Sequence, residues 1–241
     1  MKKIEFLDVK FYEIKDNEIE GILNEGGLFC FPSGPALSSI DKNPIYHNSL
    51  IEADYNFFDS GYFVLLLRFL KNIKVKKYSG YKFIYNFLNL IKLKKINHIF
   101  LIEPNIDIAN TNKSYFNKIS SIKLENYIAP YYDVSNINEE NLINLLEKNK
   151  PKFIMINLGG GVQEVLGSYL KKKLSYVPAI MCTGAAMSFF TKKQAPINTF
   201  FDKLFLGWLI RIIFNPKIFF MRYFLGFGLL KHVLMNKIKF N

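Results

Sequence analysis

The tightest constraint on this chain lies between residues 150 and 167. Phe153 to Leu158 is a β-prone apolar run that stops at Gly159-Gly160-Gly161, and a helix-compatible stretch, Val162 to Lys172, follows at once. Strand, glycine turn and helix in that order is how an α/β sheet brings backbone N–H groups to a phosphate at a helix N-terminus. Glycine suits the turn because it reaches positive φ and lets a ligand approach the backbone. Gln163 and Glu164 would occupy the first helical turn, facing the same crevice. A tight strand–helix turn with no ligand fits the same residues. Two phosphate-binding signatures are missing. Glu164 stands where a dinucleotide fingerprint needs its third glycine, and no Gly-Lys-Ser/Thr follows the turn.

The rest of the core repeats the alternation. Residues 3–14 read as a strand or hairpin, and Leu28 to Phe31 as a buried strand running into a Pro32–Pro35 turn. Residues 36–53 look helical, with a break near Pro44. Tyr55 to Phe58 is a strand that ends at Asp59-Ser60-Gly61, and a helix follows over Tyr62 to Leu70. An acid at the carboxyl end of a strand sits where α/β sheets bind ligands; Asp59 as the cap of the next helix is the plainer alternative. Val75 to Gly80 is basic and turn-like, either a phosphate contact or a solvated turn, and a helix runs on to Ile91. Ile99 to Ile102 reads as a central strand, Glu103-Pro104-Asn105 as a loop, Lys113 to Ile122 as a helix, and the region near Tyr127 as β-prone. Asn138 is a capping-type residue ahead of a helix that carries Leu142, Leu145 and Leu146 on one face. Val177 to Cys182 is a further strand. Thr183, Gly184, Ala185 and Ala186 are small, as a close ligand or a close helix would require. The pattern from residue 99 to 190 predicts parallel βαβ units with helices on both faces.

Charge narrows the partners. The chain of 241 residues carries a net charge of +12, which favours an anionic partner: nucleic acid, a membrane surface or a phosphorylated substrate. Cys30 and Cys182 lie in apolar runs and read as buried free thiols, and the scattered histidines give no metal-ligand spacing. Glu5 and Asp8 interrupt the first apolar run, which argues against a signal peptide, and no uncharged run reaches the roughly 18–20 residues of a spanning helix. A cytoplasmic protein is expected.

The material changes after Ala195-Pro196. From Phe200 onward seven bases face one acid, Asp202, among many aromatics that include Trp208. Lys203, Gly207, Arg211 and Asn215 are spaced four apart and form one narrow polar stripe on an otherwise apolar helix, which Pro216 ends. Bases interspersed with Trp and Phe suit a helix lying in a membrane interface. A helical hairpin packed on the sheet or on a second subunit is the alternative. The aromatics are too clustered for a nucleic-acid stacking platform, so no nucleic acid is expected. The expected architecture is therefore α/β: a Rossmann-like, mostly parallel sheet flanked by helices over residues 1–197, and a basic, aromatic, helical membrane-binding appendage over 198–241.

Several separated stretches resemble one family, the bacterial WecG/TagA/CpsF glycosyltransferases of cell-surface polysaccharide assembly. Asp59-Ser60-Gly61 stands for a strand ending in Asp-Gly, and Lys77-Tyr78-Ser79-Gly80 for an Arg-x-x-Gly turn. Leu158 to Glu164 shadows Gly-x-Gly-x-Pro-Lys-Gln-Glu with Gln163-Glu164 intact. Gln194-Ala195-Pro196 stands for Arg-Ala-Pro, Phe205 to Ile212 for Gly-Leu-Glu-Trp-Leu-x-Arg-Leu, and Pro216, Lys217 and Arg222-Tyr223 for the closing Pro-x-Arg and Arg-Tyr. Ser33-Gly34-Pro35 falls on an early Thr-x-Asn. The departures are Lys77 and Gln194 for arginines and Gly207 for an acid; Lys77 keeps the charge and loses the bidentate fork.

The resemblance implies inverting transfer of a sugar, N-acetylmannosamine-type or a related hexose or uronic acid, from a UDP-sugar to a polyprenyl-diphosphate-linked acceptor. It implies no metal and no other cofactor. Asp59 would be the general base, and the diphosphate and acceptor would meet Ser33, Lys77, Gly80, Gly159, Gly160, Gly161, Gln163, Glu164, Thr183, Gly184, Arg211, Lys217 and Arg222. The enzyme would sit on the inner face of the cell membrane, with self-association of the apolar tail left open. Two other classes compete. One is a membrane-associated scaffold of a polysaccharide-assembly complex that has lost its chemistry, motivated by the lost arginines. The other is a nicotinamide-dependent oxidoreductase on the Gly159–Gly161 turn, which lacks the third glycine.

Overall fold

A computed structural model describes residues 2–191, 202, 205 and 207–240, apart from the side chains of Trp208, Ile218 and Arg222. The first two strands, β1 (Lys2–Phe6) and β2 (Val9–Glu13), form the expected hairpin. Then follow α1 (Ile19–Glu25), β3 (Gly27–Cys30), α2 (Gly34–Ser38), α3 (Pro44–Ile51), β4 (Tyr55–Phe57), α4 (Gly61–Lys71) and α5 (Gly80–Lys92). The second half brings β5 (His98–Glu103), α6 (Ile106–Ile119), β6 (Lys123–Ile128), α7 (Glu140–Asn149), β7 (Phe153–Ile156), α8 (Val162–Lys173), β8 (Ala179–Cys182) and α9 (Ala186–Phe190). The tail adds α10 (Gly207–Phe214), α11 (Pro216–Leu225), α12 (Gly228–Met235) and β9 (Ile238–Phe240).

Among the described residues the strands form one nine-stranded sheet, in the order β6-β5-β7-β8-β3-β4-β2-β1-β9. It is parallel from β6 through β2, and only β1 runs against its neighbours. From β5 the chain steps outward to β6, then crosses back to β7 on the other side of β5. The order thus reverses between β5 and β7, and ligands of open α/β sheets bind at the carboxyl side of such a reversal.

Strand periodicity builds two cores. Leu28, Cys30, Phe100, Ile102, Ile154, Ile156, Ile180 and Cys182 point to one face and pack with α2, α3, α4, α7, α8 and α12. Phe29, Ile99, Leu101, Phe153, Met155, Ala179 and Met181 point to the other, against α1, α5, α6 and α9. Strands buried on both faces read as continuous apolar runs, which is why they were visible in the sequence. Cys30 and Cys182 stand opposite each other on β3 and β8, buried and unbridged.

Some expectations shift. The helix begins at Gly34, with Ser33 at the cap position, two residues inside the Pro32–Pro35 stretch where composition suggested a turn. Helix α6 starts at Ile106 rather than near Lys113, because Asn105 Oδ1 accepts from Ile108 N at 2.9 Å and caps it. The residue before α7 is Glu139, with no side-chain cap, so Asn138 does not play that part. In the tail, a helix break does fall at Asn215-Pro216, and Pro216 opens α11, where its missing N–H costs nothing. Helix α12 then buries Leu229 and Val233 in the core, and β9 adds to the edge of β1.

Candidate active site

The carboxyl ends of β3, β4, β7 and β8 open into a cleft of about 690 Å³, and side chains of α10 and α11 line its far wall. Of the residues the sequence singled out, this cleft gathers Asp59 with Ser33, Lys77 and Gly80. It also gathers Gly159, Gly160, Gln163 and Glu164, then Thr183, Gly184 and Arg211. Gly161 lies directly behind, at the cap of α8. Lys217 is exposed on α11 and does not line the cleft. Gln194-Ala195-Pro196 and the Arg222 side chain lie outside the described residues.

Asp59 does not cap the helix that follows it. Ser60 does, its hydroxyl accepting from Phe63 N at 3.2 Å. Asp59 Oδ1 instead accepts from Gly80 N, the first residue of α5, at 2.8 Å. Burial pushes the Asp59 carboxyl above the ordinary carboxylate range. The Gly80 N–H, Lys77 and Arg211 pull it back in part, and Asp202 adds to the rise. A half-buried carboxylate with a raised pKa, opening on a cleft, is suited to take a proton.

Beside it, Lys77 Nζ lies 2.6 Å from Asp202 Oδ1 and donates to the Asp202 backbone oxygen at 2.9 Å. Ser79, which caps α5, donates from Oγ to Asp202 Oδ2 at 2.9 Å. A lysine and the capping hydroxyl of α5 are thus already answering an anion, supplied from the tail. Phe205 covers the same corner. A Cβ on Gly61 would come within 2.8 Å of the Phe205 ring, so only glycine admits that contact, and the Lys77 ammonium stands 5.6 Å from the ring centroid.

The glycine turn behaves differently from its first reading. Gly161 takes φ +94° and donates its N–H to Glu164 Oε2 at 2.7 Å. Glu164 Oε1 accepts from Gln163 Nε2 at 2.9 Å. The carboxylate of α8's own first turn therefore occupies the Gly161 amide at this end of the helix. Gln163 Oε1 is left as a buried acceptor with no hydrogen-bond partner among the described residues.

Arg211 faces the cleft from α10. Its guanidinium stacks 4.7 Å from the Phe189 ring and 5.7 Å from the Phe219 ring, and Nη1 donates to Tyr223 Oη at 3.3 Å. Its Nε is buried with no hydrogen-bond partner among the described residues. Two aromatic faces hold a planar cation with no salt bridge among the described residues, close enough to Asp59 to lower its pKa and open to a further anion in the cleft.

The sequence reading missed Asp202, Phe205, Ser79, Phe189 and Asn157 as lining residues. One signal for Asp202 was present: it is the lone acid among the bases of the tail.

Comparison with known proteins adds one positive finding. The family model of the glycosyl transferase WecG/TagA/CpsF family matches residues 4–241. No curated protein matches the chain.

Proposed function

The chain belongs to the glycosyl transferase WecG/TagA/CpsF family and is a sugar-transferring enzyme, and from that premise we propose an inverting transfer with Asp59 as its base. The donor is a UDP-sugar carrying an N-acetylmannosamine-type sugar or a related hexose or uronic acid. The acceptor is a polyprenyl-diphosphate-linked sugar of cell-surface polysaccharide synthesis. The acceptor hydroxyl gives its proton to Asp59 as its oxygen attacks the anomeric carbon from the face opposite the leaving group. The bond from that carbon to the UDP oxygen breaks in the same displacement, and the configuration inverts.

The observation that carries this reading is the company Asp59 keeps: a half-buried carboxylate of raised pKa beside Lys77, Ser79 and the N-terminus of α5. The developing charge on UDP falls on those groups and on Arg211, whose guanidinium makes no salt bridge among the described residues. At the Gly159–Gly161 turn Glu164 occupies the Gly161 amide, as Asp202 occupies Lys77 and Ser79, so UDP competes with an internal carboxylate at either place.

A lipid-linked acceptor calls for a route to the membrane. Ile213, Phe214, Met221 and Leu225 are exposed on α10 and α11 without lining the cleft, near the exposed Lys217. No helix among the described residues is long and apolar enough to cross a membrane. The reading therefore has α10 and α11 lying in the interface of the inner leaflet, with apolar area and anionic headgroups acting together.

Thermal shift of the full chain against UDP, a panel of UDP-sugars and NAD tests the reading. A ligand at 100 times its dissociation constant adds about 2.7 kcal/mol to stability. Stabilisation by UDP and by one UDP-sugar is the expected result. Stabilisation by no uridine nucleotide, with membrane binding kept, would favour a scaffold that has lost its chemistry.

A further inference from the structure

A fully buried carboxyl at the end of β5 takes no part in the chemistry above. Glu103 Oε1 accepts from Asn112 Nδ2 on α6 at 2.8 Å and from Asn157 Nδ2, just beyond β7, at 3.0 Å. Asn157 Oδ1 accepts in turn from Thr183 Oγ1, just beyond β8, at 3.2 Å. Asn157 and Thr183 line the cleft, and Glu103 lies behind them. Burial pushes the Glu103 carboxyl up, and the two amide donors offset part of the rise.

The chain of bonds has a direction. A side-chain amide has a donating end and an accepting end, and the oxygen of Glu103 takes the donating end of Asn157. Asn157 must therefore turn its oxygen to Thr183. A threonine hydroxyl has one hydrogen, and here Asn157 receives it. What Thr183 Oγ1 still offers the cleft is its lone pairs. Remove Glu103, and the Asn157 amide is free to flip and the Thr183 hydroxyl free to donate instead.

Position says which part of a donor meets this acceptor. From β4, which ends beside Asp59, the sheet runs through β3 to β8 and then β7. Thr183 therefore lies about two strand spacings from Asp59, about 10 Å, and Asn157 about three, about 14 Å. That is beyond reach of a carbon reacting at Asp59, so the part of the donor that meets Thr183 lies away from the reacting centre.

We propose that Glu103 is a positioning residue that, through Asn157, makes Thr183 a hydrogen-bond acceptor for a donating group on the nucleoside of the sugar donor. The donating group is a base N–H or a ribose hydroxyl. This rests on the donor being a nucleoside-diphosphate sugar, as proposed above.

Calorimetric titration of the full chain with UDP, 3-methyl-UDP, GDP and inorganic pyrophosphate tests it. Thr183→Val keeps the shape and removes the hydroxyl; it should weaken UDP about ten-fold and leave pyrophosphate unchanged. Thr183→Ser should bind as wild type. Glu103→Leu should weaken UDP as Thr183→Val does and add nothing in the Thr183→Val background, because the two act through one bond. Glu103→Gln should restore binding, since its carbonyl also accepts from both amides. If Glu103→Leu does not fold, Asn157→Ala replaces it with the same expected non-additivity. Insensitivity of 3-methyl-UDP to Thr183→Val would identify the base N–H, and an equal loss would identify a ribose hydroxyl. The proposal is overturned if Thr183→Val leaves UDP binding unchanged, or if the Glu103 and Thr183 losses simply add. Binding of GDP in place of UDP would remove the uridine reading and leave the relay to be read on GDP. A folded wild type that binds no nucleotide would overturn the relay as well.

Discussion

The Asp202 carboxylate lies 2.6 Å from the Lys77 ammonium, so the tail places an anion on the cation that the proposed leaving group needs. Both side chains are largely buried, and Ser79 reinforces the contact. UDP must compete with this internal carboxylate. Asp202→Asn should therefore tighten UDP binding about five-fold, the equivalent of about 1 kcal/mol for a single ion pair. Calorimetry measures it; weaker binding would mean that Asp202 orders the cleft instead of competing for it.

Asp59→Asn keeps an oxygen for the Gly80 N–H and removes the base. Turnover should fall by about two orders of magnitude or more, with UDP affinity kept. Unchanged turnover would remove Asp59 from the chemistry.

The same substitution has a stability signature. The folded Asp59 carboxyl has a raised pKa, so the folded state holds that proton more firmly than the unfolded chain. The stability this supplies is full below the unfolded value, about 3.9, and is lost as pH rises through the folded value. Asparagine cannot ionise. The Asp59→Asn variant should therefore match wild type at low pH and exceed its Tm at pH 7, a gap that a melting series across pH would show. The acid limb of kcat/KM should follow the same raised value.

The tail's exposed apolar residues make a prediction that leaves the cleft alone. Replacing Ile213, Met221 and Leu225 together with serine removes about 1.5–3 kcal/mol of burial per side chain in a membrane interface. Binding to vesicles containing anionic lipid should fall at least ten-fold in a sedimentation assay, with Tm and UDP binding unchanged. Equal vesicle binding would place the membrane contact elsewhere.

Leu229 tests how far the end of the chain is part of the core. It is fully buried against the same cluster as β3 and β8. Leu229→Ala should cost about 2–5 kcal/mol in urea unfolding, as a large-to-small core change does. A cost within ~0.5 kcal/mol would mean α12 unfolds independently of the sheet.

Much of this fold was legible because its signals are local. The runs at Phe153, Ile99 and Val177 are apolar enough to be strands buried on both faces, and the sheet has them side by side. Asp59 and Gln163 could be singled out because each closes or follows such a run, and Lys77 because it stands in a basic turn just ahead of Ser79-Gly80. By itself, then, the sequence determined the alternation of elements, the two-faced core and the strand-end positions of most candidate residues. Which ends meet was decided only in three dimensions. Asp202 and Lys77 are 125 residues apart, and no spacing rule links them. Glu103, Asn157 and Thr183 form a relay because β5, β7 and β8 are neighbours, an order set by where the crossover helices can pack. Lys217 and Arg211 looked equivalent on paper, yet the break at Asn215-Pro216 sends one to solvent and the other into the cleft. The return of β9 to β1 was likewise invisible: three residues carry too little pattern to announce a strand, and it is the open edge of the sheet that makes them one.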